Sequence, residues 1–158
     1  MAVDEYKGYS VLMSVYYKEK PEHLKQAIES IQAQTLPTDD FVLVCDGQLN
    51  DELDEVIAAK QKEMSKILKV VRLAKSGGLG NALNEGIEHC KNELVARMDS
   101  DDIAVRNRFE LQLAYLMSHP NTDILGGQIE EFIGEITNVA GRRIVPLTDA
   151  NCKAYLKK

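Results

Sequence analysis

Four short apolar runs recur along the chain, and each is followed by a segment whose apolar residues return at helical spacing. The runs are residues 9–16, Phe41-Val42-Leu43-Val44-Cys45, residues 67–73 and Leu94-Val95-Ala96-Arg97-Met98. Each is short and bounded by turn residues, and the first three are rich in β-branched or aromatic side chains, as suits buried strands. Between them, Pro21 suits a first helical turn, because its missing N–H would have no intrahelical partner there. Leu24, Ala27, Ile28 and Ile31 then give that helix one apolar face, and Leu36-Pro37 ends it. Leu53, Val56, Ile57 and Met64 predict a second helix, and Leu83 and Ile87 the inner stripe of a third that runs to about Cys90. A fourth is predicted from about Val105 to Ser118, turning Phe109, Leu113 and Leu116 inward. Strand and helix alternating four times demand a largely parallel sheet covered on both faces, an α/β/α sandwich. The segment from Ile124 to Val145 reads as two β segments separated near Thr137-Asn138.

The 158 residues match a single domain over 1–158. A net charge of −6 argues against a nucleic-acid surface, which presents a basic face. Cys45, Cys90 and Cys152 form no C-x-x-C pair and no even framework, so reduced thiols in the cytoplasm are expected. No run is apolar enough for a signal peptide or a membrane span of roughly 20 residues.

In a parallel sheet, ligands bind at the carboxyl ends of the strands, beside a switch in strand order. Tyr16 and Tyr17 end the first strand, Asp46 the second, Ser76-Gly77-Gly78-Leu79-Gly80 follows the third, and Asp99-Ser100-Asp101-Asp102 ends the fourth. Four independent polar or glycine features therefore converge on one edge.

Three carboxylates within four residues repel one another unless a cation or a proton intervenes. Asp99 and Asp101 lie two apart, so in extended backbone they share a face and offer hard oxygen ligands suited to Mg²⁺ or Mn²⁺. A bridging ion would let an acidic site hold a diphosphate. The same four residues also suit the start of the next helix, and Asp102 is assigned there. Asp46 can accept a hydrogen bond from a nucleobase N–H, or simply form an Asp-Gly turn with Gly47. The turn at Gly77 and Gly78 brings backbone toward a ligand, but it has neither a P-loop lysine nor G-x-G-x-x-G spacing. Tyr16 and Tyr17 offer rings for stacking on a base. Arg97 can pair with a neighbouring acid or reach a phosphate, whereas Arg106 and Arg108 read as solvated helix residues. His23, His89 and His119 fall on predicted helices with no plausible partner nearby in sequence, and read as structural.

Taken in order, these segments resemble glycosyltransferase family 2, whose members have the GT-A fold. The likeness runs from about Tyr9 to Leu125. Residues 10–16 resemble the family's opening strand, and Val42-Leu43-Val44-Cys45-Asp46-Gly47 the strand closing in Asp-Asp-Gly, with cysteine in the first acidic place. Residues 76–86 resemble a segment containing Ala-Arg-Asn, with Leu83 in place of the arginine and Asn84 retained. Ala96-Arg97-Met98-Asp99-Ser100-Asp101-Asp102, continued by Arg108-Phe109-Glu110-Leu111-Gln112, is similar to a subgroup that assembles bacterial exopolysaccharide, capsule and lipopolysaccharide.

The resemblance implies a nucleotide-sugar donor, commonly UDP-linked, held by Tyr16, Tyr17, Asp46, Gly77, Gly78, Asn84, Asp99 and Ser100. It implies Mn²⁺ or Mg²⁺ on Asp99 and Asp101, and inverting transfer to a glycan or lipid-linked acceptor near the inner face of a membrane. The catalytic base belongs to an acceptor half that the chain does not hold in full, and Glu130, Glu131 and Glu135 read as surface acids. The expectation is thus a truncated donor-binding part that binds nucleotide and transfers little sugar, with apolar surface left to drive homodimerisation. A binding module without catalysis is the second reading. A sugar nucleotidyltransferase would want a basic glycine-rich loop where residues 16–20 stand, and a Rossmann dehydrogenase its glycines after the first strand.

Overall fold

The computed structural model describes residues 8–155. They form two compact units that divide between Ala114 and Tyr115.

The first unit is built on a four-stranded, wholly parallel sheet. Its strands are β1 (Ser10–Val15), β2 (Asp40–Cys45), β3 (Leu68–Arg72) and β4 (Val95–Asp99), in the spatial order β3-β2-β1-β4. The chain therefore moves outward from β1 to β3 and then returns to the other side of β1. That reversal makes the carboxyl end of β1, beside β4, the crevice of the sheet. Helices α1 (Pro21–Gln32), α2 (Asp51–Glu63) and α3 (Leu79–Ile87) fill the crossovers, and α4 (Arg108–Ser118) follows β4. The sequence expectation of a parallel sheet with helices on both faces holds, element by element.

Alternation along the strands sorts the core into two layers. Val11, Met13, Val15, Phe41, Leu43 and Cys45 face one side and pack with Leu24, Ile28 and Ile31 of α1, Leu53 and Ile57 of α2, and Phe109 of α4. Leu12, Val42 and Val44 face the other and pack with Ala82 of α3. This second layer is thin, because the only buried residues of α3 are Ala82 and Gly86, with partly buried Leu83 packed beside them. Of the predicted Leu83/Ile87 stripe, Leu83 packs partly buried on this layer, whereas Ile87 is half exposed and is corrected. A Cβ on Gly86 would lie 2.5 Å from Leu12 Cδ1 and 2.6 Å from Val44 Cγ2, so the helix touches the sheet through its backbone. Large side chains cannot occupy an approach that close, and periodicity alone misassigns the face.

Two polar devices tie together the elements that cover the first layer. The Lys60 ammonium, almost wholly buried, joins α2 to α1 through Glu29 at 3.0 Å and Gln32 at 3.3 Å, with Glu63 at 2.8 Å. The Gln34 side chain donates to the carbonyls of Ser30 and Val105 and accepts from the Phe109 N–H, stapling the segment before α4 onto the end of α1.

In the second unit, β5 (Ile129–Phe132) and β6 (Val139–Arg143) form an antiparallel hairpin, followed by α5 (Asp149–Tyr155). Glu130 and Glu131 pair with Arg142 and Arg143 across it, exposed as expected of surface acids. No helix among the described residues is long and apolar enough to cross a membrane.

Candidate functional site

The carboxyl ends of β1, β2 and β4 and the turn before α3 enclose a cleft of about 380 Å³. It is lined by Ser14, Tyr16, Glu19, Asp46, Ser76, Gly78, Leu79, Asp99, Ser100 and Asp101. Four of these ten side chains are acidic and none is basic, so the lining by itself repels a phosphate.

The acidic turn enters the cleft because β4 pairs with β1 as far as Ser14–Asp99 and then breaks. The Asp102 N–H reaches back to the Asp99 carbonyl at 3.5 Å, closing a turn over Ser100 and Asp101. Helix α4 begins only at Arg108, later than the predicted Val105. Asp102 therefore stands six residues before the helix and does not cap it, which corrects that assignment and removes capping as the reason for the acidic run. Residues between them are held by α1 and the turn after it: the Ser30 hydroxyl accepts from the Ala104 N–H at 3.1 Å, and the Thr35 N–H donates to the Arg106 carbonyl at 2.8 Å.

Asp99 pairs with the Arg97 guanidinium two residues earlier on the same face. Asp102 keeps an exposed edge, yet the protein packed around it, and then the charges of Asp99 and Asp101, push its carboxyl above the ordinary range. Arg108 is not solvated as expected. Its guanidinium packs over the Phe109 ring, donates to the Arg97 carbonyl at 3.0 Å and to Gln112, and burial lowers its pKa.

Asp46 is buried, with 4% of its surface exposed. Its Oδ1 accepts from the Gly77 N–H at 2.8 Å, and its Oδ2 accepts from the Ser76 hydroxyl at 2.8 Å and the Gly78 N–H at 3.0 Å. Burial by itself would raise this carboxyl, but the three donors together hold it below its usual value. Gly47 makes the approach possible: its φ is +84°, and a Cβ there would lie 2.7 Å from the Ser76 nitrogen. Gly78, at φ +83°, ends the turn as the N-cap of α3 with no side-chain cap.

Of the residues expected at the site, the structure brings Tyr16, Asp46, Gly78, Asp99, Ser100 and Asp101 to one cleft. Gly77 lies behind it, bonded to Asp46, and Asn84 is exposed on α3 outside the lining. Tyr17 also stands outside the lining, edge-on to Tyr16 at 6.0 Å with Lys18 over its ring. Sequence reasoning missed Ser14 and Glu19. Ser14 left a trace as the polar break in an apolar strand. Glu19 left none, since its Oε2 accepts from the Ser100 hydroxyl at 3.2 Å across 81 positions. Its Oε1 lies 3.3 Å from His23 Nδ1, so His23 does have a partner, one helical turn away. His89 and His119 sit just beyond helix ends, and His119 stacks on Tyr115 at 4.0 Å.

Among the described residues no three His, Cys, Asp or Glu side chains gather closely enough to form a complete metal site. The two carboxylates at 99 and 101 are nevertheless a hard, all-oxygen pair beside an open volume, the donor set that suits Mg²⁺ or Mn²⁺ when a ligand completes the shell.

Comparison with known proteins bears on this arrangement. The profile of Glycosyl transferase family 2 matches residues 10–156. An uncharacterized glycosyltransferase of Haemophilus influenzae is 45% identical over 150 residues, covering 95% of this chain and 55% of that protein. The UDP-Gal:alpha-D-GlcNAc-diphosphoundecaprenol beta-1,3-galactosyltransferase of Escherichia coli is 38% identical over 129 residues, covering 82% and 46%. The chain thus spans about half the length of these relatives. In structure it is similar to a mannosyltransferase of Pyrobaculum calidifontis in complex with GDP-Man and Mn²⁺, with a TM-score of 0.63 at 20% identity over 71% of this chain and 33% of that one. That likeness shares the GT-A fold.

Proposed function

The chain belongs to glycosyl transferase family 2, and on that premise we propose that its cleft binds a UDP-linked sugar together with Mn²⁺ or Mg²⁺ for transfer to a glycan or lipid-linked acceptor. The observation that carries this reading is the charge of the lining. A cleft with four carboxylates and no basic side chain holds a diphosphate only if a cation stands between them. Asp99 and Asp101 would hold that ion, with phosphate oxygens and water completing its shell. Bound there, the ion supplies positive charge against the departing diphosphate.

The chain's own groups divide the remaining work. Tyr16, 45% exposed at the end of β1, presents a ring to the base. Gly78 and Leu79 set the uncapped N-terminus of α3 against the cleft, a favourable end for phosphate oxygens. Tyr17, Gly77 and Asn84 border the nucleoside in this reading, and Ser100, held by Glu19, fixes the turn between the two metal ligands. Transfer is inverting, and the acceptor's base is assigned to none of the residues described. The galactosyltransferase similarity supports a lipid-linked acceptor and hence work at the cytoplasmic membrane face. A second reading is a donor-binding module without transfer of its own, since none of the residues lining the cleft is assigned as the acceptor's base.

Calorimetry with UDP-, GDP- and dTDP-sugars, each with Mn²⁺ or EDTA, tests the reading. Asp99→Ala and Asp101→Ala should each weaken the metal-dependent part by about tenfold or more while leaving the melting curve intact. Metal dependence that survives in both variants would move the ion elsewhere. Sugar transfer by the wild-type chain would exclude the module.

A further inference from the structure

One divalent ion does not balance the cleft. Four carboxylates line it, a diphosphate brings further negative charge, and a dication offsets only two. A further cation reaches the lining from outside, since the Arg97 guanidinium is paired with Asp99. Register fixes its side of the sheet. Arg97 is matched with Leu12 in the β1–β4 pairing, and Leu12 belongs to the layer that packs on Ala82 of α3. Gly78 and Leu79, which open α3 without a side-chain cap, line the cleft. Arg108, by contrast, is committed elsewhere. Its guanidinium packs over Phe109 and bonds to Gln112, to Met98 Sδ and to the Arg97 carbonyl, which anchors the backbone of β4. The Arg97 side chain is 50% exposed and that of Asp99 37%, so water screens the pair and it parts readily. A divalent ion carries twice the charge and binds carboxylate oxygen directly. A released guanidinium presents a planar fork that fits phosphate oxygens.

Resting on the nucleotide-binding reading above, we propose that Arg97 is a phosphate-binding residue kept in reserve on Asp99: when a divalent ion takes that carboxylate, the guanidinium turns to the diphosphate. The same side chain then competes with the ion and assists the nucleotide. Removing it has opposite effects on the two, which a merely structural residue does not produce.

The experiment measures Mn²⁺ alone by electron paramagnetic resonance, and UDP at saturating Mn²⁺ by calorimetry, for the wild type, Arg97→Gln and Arg97→Lys. In the wild type, the Arg97 Nε–H resonance is followed by NMR as Mg²⁺ and then UDP are added. Arg97→Gln should bind Mn²⁺ several-fold more tightly, because a competing positive charge is gone. It should bind UDP about tenfold more weakly, the scale of a lost charge-assisted hydrogen bond. Arg97→Lys keeps the charge but not the fork, so its Mn²⁺ affinity should stay near the wild type and its UDP loss should be smaller. The Nε–H resonance should move with Mg²⁺ and again with UDP. Mn²⁺ binding that is unchanged or weaker in Arg97→Gln, or UDP binding that is unchanged, overturns the assignment. So does a wild type that takes Mn²⁺ only together with UDP. An Nε–H resonance that ignores both additions overturns it without recourse to any variant. If the wild type binds neither ion nor nucleotide, the functional reading itself fails and this one with it, whereas a wild type that binds both leaves the functional reading standing whatever Arg97 does.

Discussion

Replacing Gly86 and Gly80 by alanine, one at a time, should shift stability in opposite directions although both lie in α3. A Cβ at position 86 meets Leu12 Cδ1 at 2.5 Å and Val44 Cγ2 at 2.6 Å, both well inside contact distance. Leu12 can swing its terminal methyl, but Val44 is β-branched and fully buried, so its methyl yields only if the strand or helix moves. Overpacking of this kind costs about 1–3 kcal/mol. The gain in helix propensity from glycine to alanine returns about 1 kcal/mol. The net for Gly86→Ala is a loss of up to about 2 kcal/mol, and the melting temperature should fall by up to about 8 °C. At Gly80 nothing lies within 4 Å of the added methyl, so only the propensity gain remains. That position sits in the first turn, where the gain is a few tenths to about 1 kcal/mol, and Tm should rise by about 1–4 °C. Differential scanning calorimetry of the two variants beside the wild type makes the comparison. Equal stabilisation by both would refute the backbone contact between α3 and the sheet, and with it the account of why this layer carries Ala82 and Gly86.

Gly47→Ala should be destabilising by roughly 1–3 kcal/mol, because φ is +84° there and the methyl would strike the Ser76 backbone; urea unfolding measures it, and an unchanged midpoint would contradict the packed double turn. The Lys60 ammonium titrates above its ordinary 10.5: burial opposes the charge, but the bonds from Glu63 and Glu29 outweigh it. A raised pKa contributes stability that is complete below the unfolded value and is lost as pH rises through the folded one. Thermal stability should therefore decline above about pH 10.5 more steeply in the wild type than in Lys60→Met, and parallel curves would sink that account. Burial pushes the Cys45 thiol up to about 11, whereas Cys152 is exposed. At pH 8 a thiol reagent should label Cys152 rapidly and Cys45 only on unfolding, as peptide mass spectrometry will resolve.

What the sequence by itself determined is the class of fold and the edge at which chemistry gathers. Runs such as Phe41-Val42-Leu43-Val44-Cys45 are apolar on both faces, which only a sheet covered twice can use, and strands joined through helices must be parallel. Polar residues that end those strands then fall together without any knowledge of packing. Tertiary structure alone decided which of them face the cleft and what their side chains do there. Asp46 meets Ser76 and Gly78 from 30 and 32 positions away, and Glu19 meets Ser100 from 81. The departure of α4 from Val105 to Arg108 has the same origin, since Gln34 and Ser30 of the α1 region satisfy the backbone there. Periodicity reports how a residue sits relative to its near neighbours. Hydrogen bonds and close contacts between distant segments depend on how elements meet, and no local pattern encodes that.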